Sequence, residues 1–285
     1  VKVTVAKEKA GTEPSDKAIS TRTEKKQVEE RLAIGPSVVY ETIRRQGEEE
    51  LSRPASALAW SGLAAGLSMG FSFIAEGLLV AHLPDSPWRP LVSTVGYCVG
   101  YLIVILGRQQ LFTENTLTVI LPLLVQKDRA TFLRVLRLWG TVLSANLVGT
   151  FLLAFCLARI VLFDAHTQAC LINIGIVHFG ASFWTVVVRA IFAGWLIALM
   201  VWLLPGAESA KVSIIIIITY LVGLAGFNHI IAGSTTAFFV VVTKSVSWGT
   251  YFAQFFVPTL LGNIIGGVSL VAALGYAQVV GGKSN

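Results

Sequence analysis

The sequence predicts an all-α membrane protein of six transmembrane helices, built as an inverted repeat of three plus three with broken second and fifth helices. Three observations predict it. The chain has 285 residues, 54% of them hydrophobic and 13% charged, about half the charge of a soluble domain. Six stretches free of charged residues are read as spans: Pro54–Ala75, Pro90–Gly107, Leu138–Ala158, Ala190–Ala207, Val212–Thr243 and Ser245–Gly282. Two of the spans run into glycines and polar residues where a helix crossing the bilayer should be uninterrupted.

The first 53 residues read as a polar cytoplasmic arm. They hold 11 of the 22 Lys+Arg and 10 of the 16 Asp+Glu. No apolar run there serves as a secretory signal. Residues before about Gly35 are expected to be disordered. Pro36–Leu51 is expected to form a solvated amphipathic helix on the membrane surface, with Pro36 in its first turn and Val39, Ile43, Gly47 and Leu51 along one face. Residues 54–285 are expected to form one domain of six transmembrane spans.

A helix crossing the bilayer needs about 20 residues. The first and third stretches, and the fourth, are single spans, and the sixth holds one span near Trp248–Leu274 with a Gly-rich tail after it. The fifth stretch has 32 residues, which as one helix would be about 48 Å long, too long without steep tilt. Gly223, Gly226, Asn228, His229, Gly233, Ser234 and Thr235 interrupt it, so it reads as two half-helices joined at membrane depth. In the second span Gly96, Gly100 and Gly107 lead into the loop Arg108–Thr116, and the short apolar run Leu117–Val125 supplies the other half. Irregular backbone survives at this depth only when buried in protein or lining a water-accessible cavity. Both breaks therefore point to a pathway.

Lys and Arg in the connections orient the chain. The arm, the loop with Lys127, Arg129, Arg134 and Arg137, then Lys211 and Lys283 fall on one side. Arg89 and Lys244 fall on the other, with Arg159 and Arg189 near span ends. Both termini are accordingly expected in the cytoplasm of a bacterium whose inner membrane holds the protein. Trp88, Trp184 and Trp248 fit interface anchors. The basic balance, net charge +6, sits mainly on one face of the bilayer and is not a nucleic-acid footprint.

The halves resemble each other weakly. Tyr101-Leu102 and Gly107 recur as Tyr220-Leu221 and Gly226, 119 residues on. Asn146-Leu147-Val148-Gly149 recurs as Asn263-Ile264-Ile265-Gly266, 117 residues on. Three spans per half force opposite insertion, and paired interrupted spans in such repeats mark the transport site. Gly66, Gly70, Gly149 and Gly266 read as close-packing positions, and Asn146 and Asn263 as interhelical or loop-supporting hydrogen bonders.

The loop Gln110-Leu111-Phe112-Thr113-Glu114-Asn115-Thr116, with Gly226-Phe227-Asn228-His229 and Ile231-Ala232, resembles the formate/nitrite transporter family from about Leu51 to Tyr276. The whole run Arg108–Thr116 is most similar to an uncharacterised branch of it. The resemblance implies an aquaporin-like fold, a homopentamer with one pore per protomer, and passage of formate, nitrite, hydrosulfide or similar monocarboxylates. It implies His229 as the pore histidine, Thr113 as the loop threonine facing it, and Leu111 and Phe112 in a narrow apolar slit. Asn228 neighbours the histidine. Tyr97 and Tyr101 fall at slit positions that the family commonly keeps apolar. The family often has Glu before the histidine and Asn four residues after it, where this chain has Asn228 and Gly233. A family lysine before the fourth span has no lysine counterpart, His178 lying nearest.

An anion in hydrocarbon is costly by several kcal/mol. Half-helix N-termini at mid-membrane and a titratable imidazole, with an ordinary pKa near 6.5, both offset that cost. The expected function is transport of a small monovalent weak-acid anion, with His229 assisting proton-linked passage and Thr113 orienting the substrate. Arg108 and Glu114 are expected to pair and, with Asn115, to hold the loop. Glu76 reads as an interface carboxylate. The expected partners are the anion, protons on the proton-linked reading, and the lipid bilayer. A water or small-solute channel is the nearest alternative, but no Asn-Pro occurs in the chain. A membrane receptor or scaffold is the other. No nucleophile with a partner base and no metal-ligand spacing is present, so neither an enzyme nor a cofactor is expected. Cys98, Cys156 and Cys170 suggest no disulfide.

Overall fold

A computed structural model describes residues 34–272 together with 275 and 277. The expected disorder before Gly35, the tail and Lys283 lie outside the described residues. Helix α1 spans Pro36–Ser52, α2 Ala55–His82 and α3 Arg89–Leu106, the last with a 3₁₀ turn at Thr94–Tyr97. Helices α4 (Phe112–Thr118) and α5 (Ile120–Gln126) follow the first break, then α6 (Arg129–Arg159), α7 (Ala165–Ile176) and α8 (Phe183–Leu203). Helices α9 (Lys211–Leu224) and α10 (Ile230–Val242) flank the second break. Helix α11 opens at Trp248 and passes through π-helical turns at Tyr251–Phe256 and Gly266–Ala272, on either side of Val257–Ile265. Among the described residues every regular element is helical. Five helices are long and apolar enough to cross a membrane, and the broken pair α9 and α10 stands where the fifth span was expected.

Several boundaries differ from the sequence expectation. Helix α6 begins at Arg129, so Arg134 and Arg137 sit on its first turns; the carboxylate of Asp128 caps it by accepting from Thr131 N at 2.9 Å. Helix α7, between the third and fourth spans, is capped by Asp164 in the same way. Helix α1 is not freely solvated. Its face of Val39, Tyr40, Ile43, Gly47 and Leu51 is buried. A Cβ on Gly47 would overlap the carbonyl of Thr118, and Arg137 donates to the carbonyls of Leu51 and Arg53 at 2.8 and 3.1 Å.

The two halves pack by the same device. Helix α2 crosses α6 where Gly66 lies against the Asn146 backbone and Gly149 against Leu63, Gly66 and Leu67. Helix α8 crosses α11 where Gly194 lies against the Asn263 backbone and Gly266 against Ile191 and Trp195. A Cβ at any of these four would overlap the facing backbone, so glycine sets how closely the helices approach. Gly70 likewise faces Leu153. Trp60 of α2 and Trp184 of α8 are among the most exposed apolar side chains, as a surface turned to lipid or to a neighbouring protomer requires.

Candidate functional site

Each break starts with a helix stop of one geometry. Helix α3 ends with Arg108 N donating to Ile105 O and Gln109 N to Val104 O; α9 ends with Gly226 N donating to Gly223 O and Phe227 N to Val222 O. The turning residue is left-handed in both, Arg108 at φ 50° and Gly226 at φ 63°. The structural repeat therefore pairs Arg108 with Gly226, an offset of 118, one less than the 119 read from the glycines. Glycine takes this conformation freely and arginine does not.

The next helices start alike. Leu111 (φ −105°, ψ 127°) precedes α4 and His229 (φ −112°, ψ 126°) precedes α10. One asparagine then ties each break to its neighbours. Asn146 Oδ1 accepts from Phe112 N at 2.9 Å, while its Nδ2 donates to Gly62 O at 2.7 Å and Gln110 O at 2.8 Å. Asn263 Oδ1 accepts from Ile230 N at 2.8 Å, while its Nδ2 donates to Ala190 O at 2.8 Å and Asn228 O at 2.9 Å. Both asparagines are fully buried. A buried amide that makes three such bonds fixes its partners, since any one of them left bare would be costly.

The breaks meet at His229 and Thr113. Thr113 Oγ1 lies 2.8 Å from His229 Nε2, and both side chains are buried. His229 Nδ1 accepts from Ile231 N at 3.2 Å and Ala232 N at 3.1 Å, capping its own half-helix. Backbone N–H groups only donate, so Nδ1 presents its lone pair and the ring proton sits on Nε2. Nε2–H then donates to Thr113 Oγ1, which leaves the threonine O–H as a donor. Leu111, at the matching position, has no atom with which to cap α4. The half-helix starts also carry the positive end of the helix dipole.

The other expected residues fall as follows. Tyr101 is fully buried, its ring edge-on to the His229 ring at 5.3 Å. Tyr97 Oη lies 3.0 Å from Tyr101 Oη. Leu111 and Phe112 are buried, and the Phe112 ring packs on Trp139 at 5.8 Å. Asn115 Nδ2 donates to Gln110 Oε1 at 3.0 Å and Leu111 O at 3.3 Å, and its carbonyl accepts from Trp139 Nε1 at 3.1 Å. Asn228 is buried, its Oδ1 without a hydrogen-bond partner. Asn228 repeats Gln110 and Gly233 repeats Asn115, so the amide clasp of the first half has no equivalent in the second. The ring of Phe255 fills that place, 2.7 Å from where a Cβ of Gly233 would stand, and His178 packs on Phe255 at 5.7 Å.

The Arg108–Glu114 pair does not form. No ion pair joins them, Arg108 being exposed and Glu114 half-buried. The left-handed turn at Arg108 and the extended residue Leu111 carry the two apart. Sequence reasoning also missed Trp139, Phe255 and Ser61, whose Oγ accepts from Gln110 N at 3.0 Å. Only Trp139, an indole in an apolar span, offered a signal. Among the described residues no group of three or more His, Cys, Asp or Glu converges to hold a metal.

Comparison with known proteins agrees with this architecture. A family model described as formate/nitrite transporter matches residues 37–277. The chain is similar to inner membrane protein YfdC of Escherichia coli, 39% identical over 90% of this chain and 83% of that one. It is 27% identical to formate channel BtFdhC of Bacillus thuringiensis, over 83% and 92%. Among solved structures it matches an FNT family ion channel with a TM-score of 0.74 at 17% identity, covering 85% of this chain and 99% of that one. A pentameric formate channel with formate bound matches with a TM-score of 0.67 at 20% identity, over 79% and 98%; these two likenesses concern the fold. With its model matched over most of the length, the chain belongs to the formate/nitrite transporter family.

Proposed function

We propose that the chain carries small monovalent weak-acid anions, of the formate or nitrite kind, across a bacterial inner membrane. Each protomer holds its own conduit within a homopentamer. The observation that carries this reading is the His229–Thr113 bond joining two chain breaks. The substrate meets the threonine O–H, made a better donor because its oxygen accepts from Nε2–H. The positive end of α10 lowers the cost of its charge. A weak acid then shares a proton at this point and passes the apolar slit at Leu111 and Phe112 with its charge diminished. Asn228, Tyr97 and Tyr101 line the same region. Asn115 supports the loop; Arg108 and Glu114 flank it without pairing.

The arm, residues 1–53, and the pore domain, 54–285, are the working division, with both termini cytoplasmic by the Lys and Arg placement. The protein acts as a conduit and not as an enzyme. Liposomes reconstituted with wild type or His229→Ala and tested with formate, nitrite, hydrosulfide, acetate and chloride test the proposal. Wild type should admit at least one weak-acid anion well above empty liposomes, and the variant should lose most of that rate. Equal rates in the two proteins would remove His229 from the pathway.

A further inference from the structure

Proton-linked passage needs a route for the proton, and the imidazole is a poor one. To relay through the ring, a proton must arrive at one nitrogen while another leaves from the other. Nδ1 of His229 is closed to arrival because the N–H groups of Ile231 and Ala232 already point at it. A second pair of exchangeable groups stands against the same ring.

Tyr97 and Tyr101 are one turn apart on α3. Their hydroxyls are 3.0 Å apart and their rings 5.3 Å apart. Tyr101 is fully buried against His229, while Tyr97 is partly exposed. The fold makes room for this pair. Gly223 of α9 faces the Tyr97 ring, where a Cβ would come 3.0 Å from Cγ and Cδ1. Ser72 of α2 donates to the Tyr97 carbonyl at 2.5 Å and accepts from Gly100 N at 2.9 Å, fixing the turn that carries both phenols. Phenylalanine would fill the same space with no hydroxyl to satisfy. Two phenols that bond to each other leave one O–H uncommitted within the pair.

We infer that the Tyr97–Tyr101 hydroxyl pair is the proton relay of this conduit, running from the partly exposed Tyr97 to the buried centre beside His229. In one step the substrate anion takes the proton of Tyr101. Tyr101 takes that of Tyr97, and Tyr97 takes one from water. Three O–H bonds form and three break, both phenols end neutral, and the hydroxide left in the water phase is the counterpart of the proton carried. The ionisable groups around the pair are few. Helix α2 brings Glu76, whose backbone abuts Gly96. Helix α3 itself adds Cys98, its Sγ 3.6 Å from Ile216 O. Helix α9 presents Gly223 and the buried Thr219, and the second break presents His229.

This inference rests on the transport reading, and the test separates the two. Wild type, Tyr97→Phe, Tyr101→Phe and the double variant are reconstituted into liposomes holding a pH-reporting dye. Formate uptake and internal acidification are followed together, and monodisperse elution checks folding. Wild type should bring in a proton with each formate, and the double variant should lose about tenfold or more of the proton-linked rate. Tyr97→Phe, the more exposed and milder change, should lower that rate too. Double-variant liposomes with the wild-type rate and proton-to-formate ratio would overturn the relay. So would wild-type formate uptake without acidification, while leaving transport itself intact. Wild-type liposomes that admit neither formate nor nitrite would overturn the transport reading and the relay with it.

Discussion

Replacing Asn263 by Leu tests the tie that holds the second break in place. The two side chains share one branched four-atom skeleton, leucine being the bulkier, so the polar loss sets the floor of the cost. Three bonds go, all between 2.8 and 2.9 Å: to Ile230 N, Ala190 O and Asn228 O. Each partner is left bare in a region where Asn263 itself is fully buried, at about 1–3 kcal/mol apiece in a water-soluble core. Hydrogen bonds inside membrane proteins average lower, about 0.6 and at most about 1.7 kcal/mol. The sum comes to about 2–5 kcal/mol. The release of Asn228 and Ile230 also frees the backbone on both sides of His229, so anion flux should fall with stability. Steric-trapping or thermal unfolding in detergent reads the stability, and liposome uptake reads the flux. Because Asn146 makes the same three bonds in the first half, Asn146→Leu should cost the same to within about 1 kcal/mol. A loss under about 0.5 kcal/mol for Asn263→Leu would refute the reasoning.

Other outcomes follow from single features. Arg108→Gly should stabilise the protein by about 0.5–1 kcal/mol by relieving the left-handed turn at φ 50°, whereas Gly226→Ala at φ 63° should cost about 1–2 kcal/mol, both read by thermal unfolding. Gly194→Ala should push α8 from the Asn263 backbone and cost about 1–3 kcal/mol, with a larger fall in flux than a change at the exposed Trp184. Glu41 is held at about 2 by hydrogen bonds from Arg44 and then Arg45. A lowered carboxyl pKa adds stability that is present above the unfolded value of 4.5 and lost as pH falls toward about 2. Limited proteolysis of α1 should therefore quicken as pH falls through that window, by less than about 1 kcal/mol because the Glu41 side chain is 40% exposed and solvent screens its pairing.

Much of the architecture was legible because lipid removes alternatives. Most charge-free runs of span length are spans, Ala165–Val188 with α7 and the start of α8 being the exception, and polar residues such as Asn228 and His229 inside spans have few uses. The repeat was legible through Asn146 and Asn263, whose offset of 117 agrees with matching bonds in the structure. Its register at the breaks was not, since the residue that turns left-handed in the first half is Arg108 and not the adjacent Gly107. Helix α7 was hidden by a short, weakly patterned sequence between spans. The Arg108–Glu114 pair was expected because both charges lie in one loop, but the left-handed turn at Arg108 and the helix that starts at Phe112 separate their side chains. The contact of Thr113 with His229 joins residues 116 positions apart, and the state of the imidazole depends on two backbone N–H groups that no spacing reveals. The tyrosine pair stood at helical spacing, so its hydroxyl bond was within reach of the sequence, whereas its place against His229 was not.

Access of water to Thr113 tests most directly whether the two breaks line a conduit. Thr113→Cys is prepared with Cys98, Cys156 and Cys170 replaced, and formate uptake into liposomes is followed before and after adding silver ion. Silver should stop uptake in Thr113→Cys and spare the cysteine-free parent. Undiminished uptake in the treated Thr113→Cys protein would contradict a water-accessible path past His229.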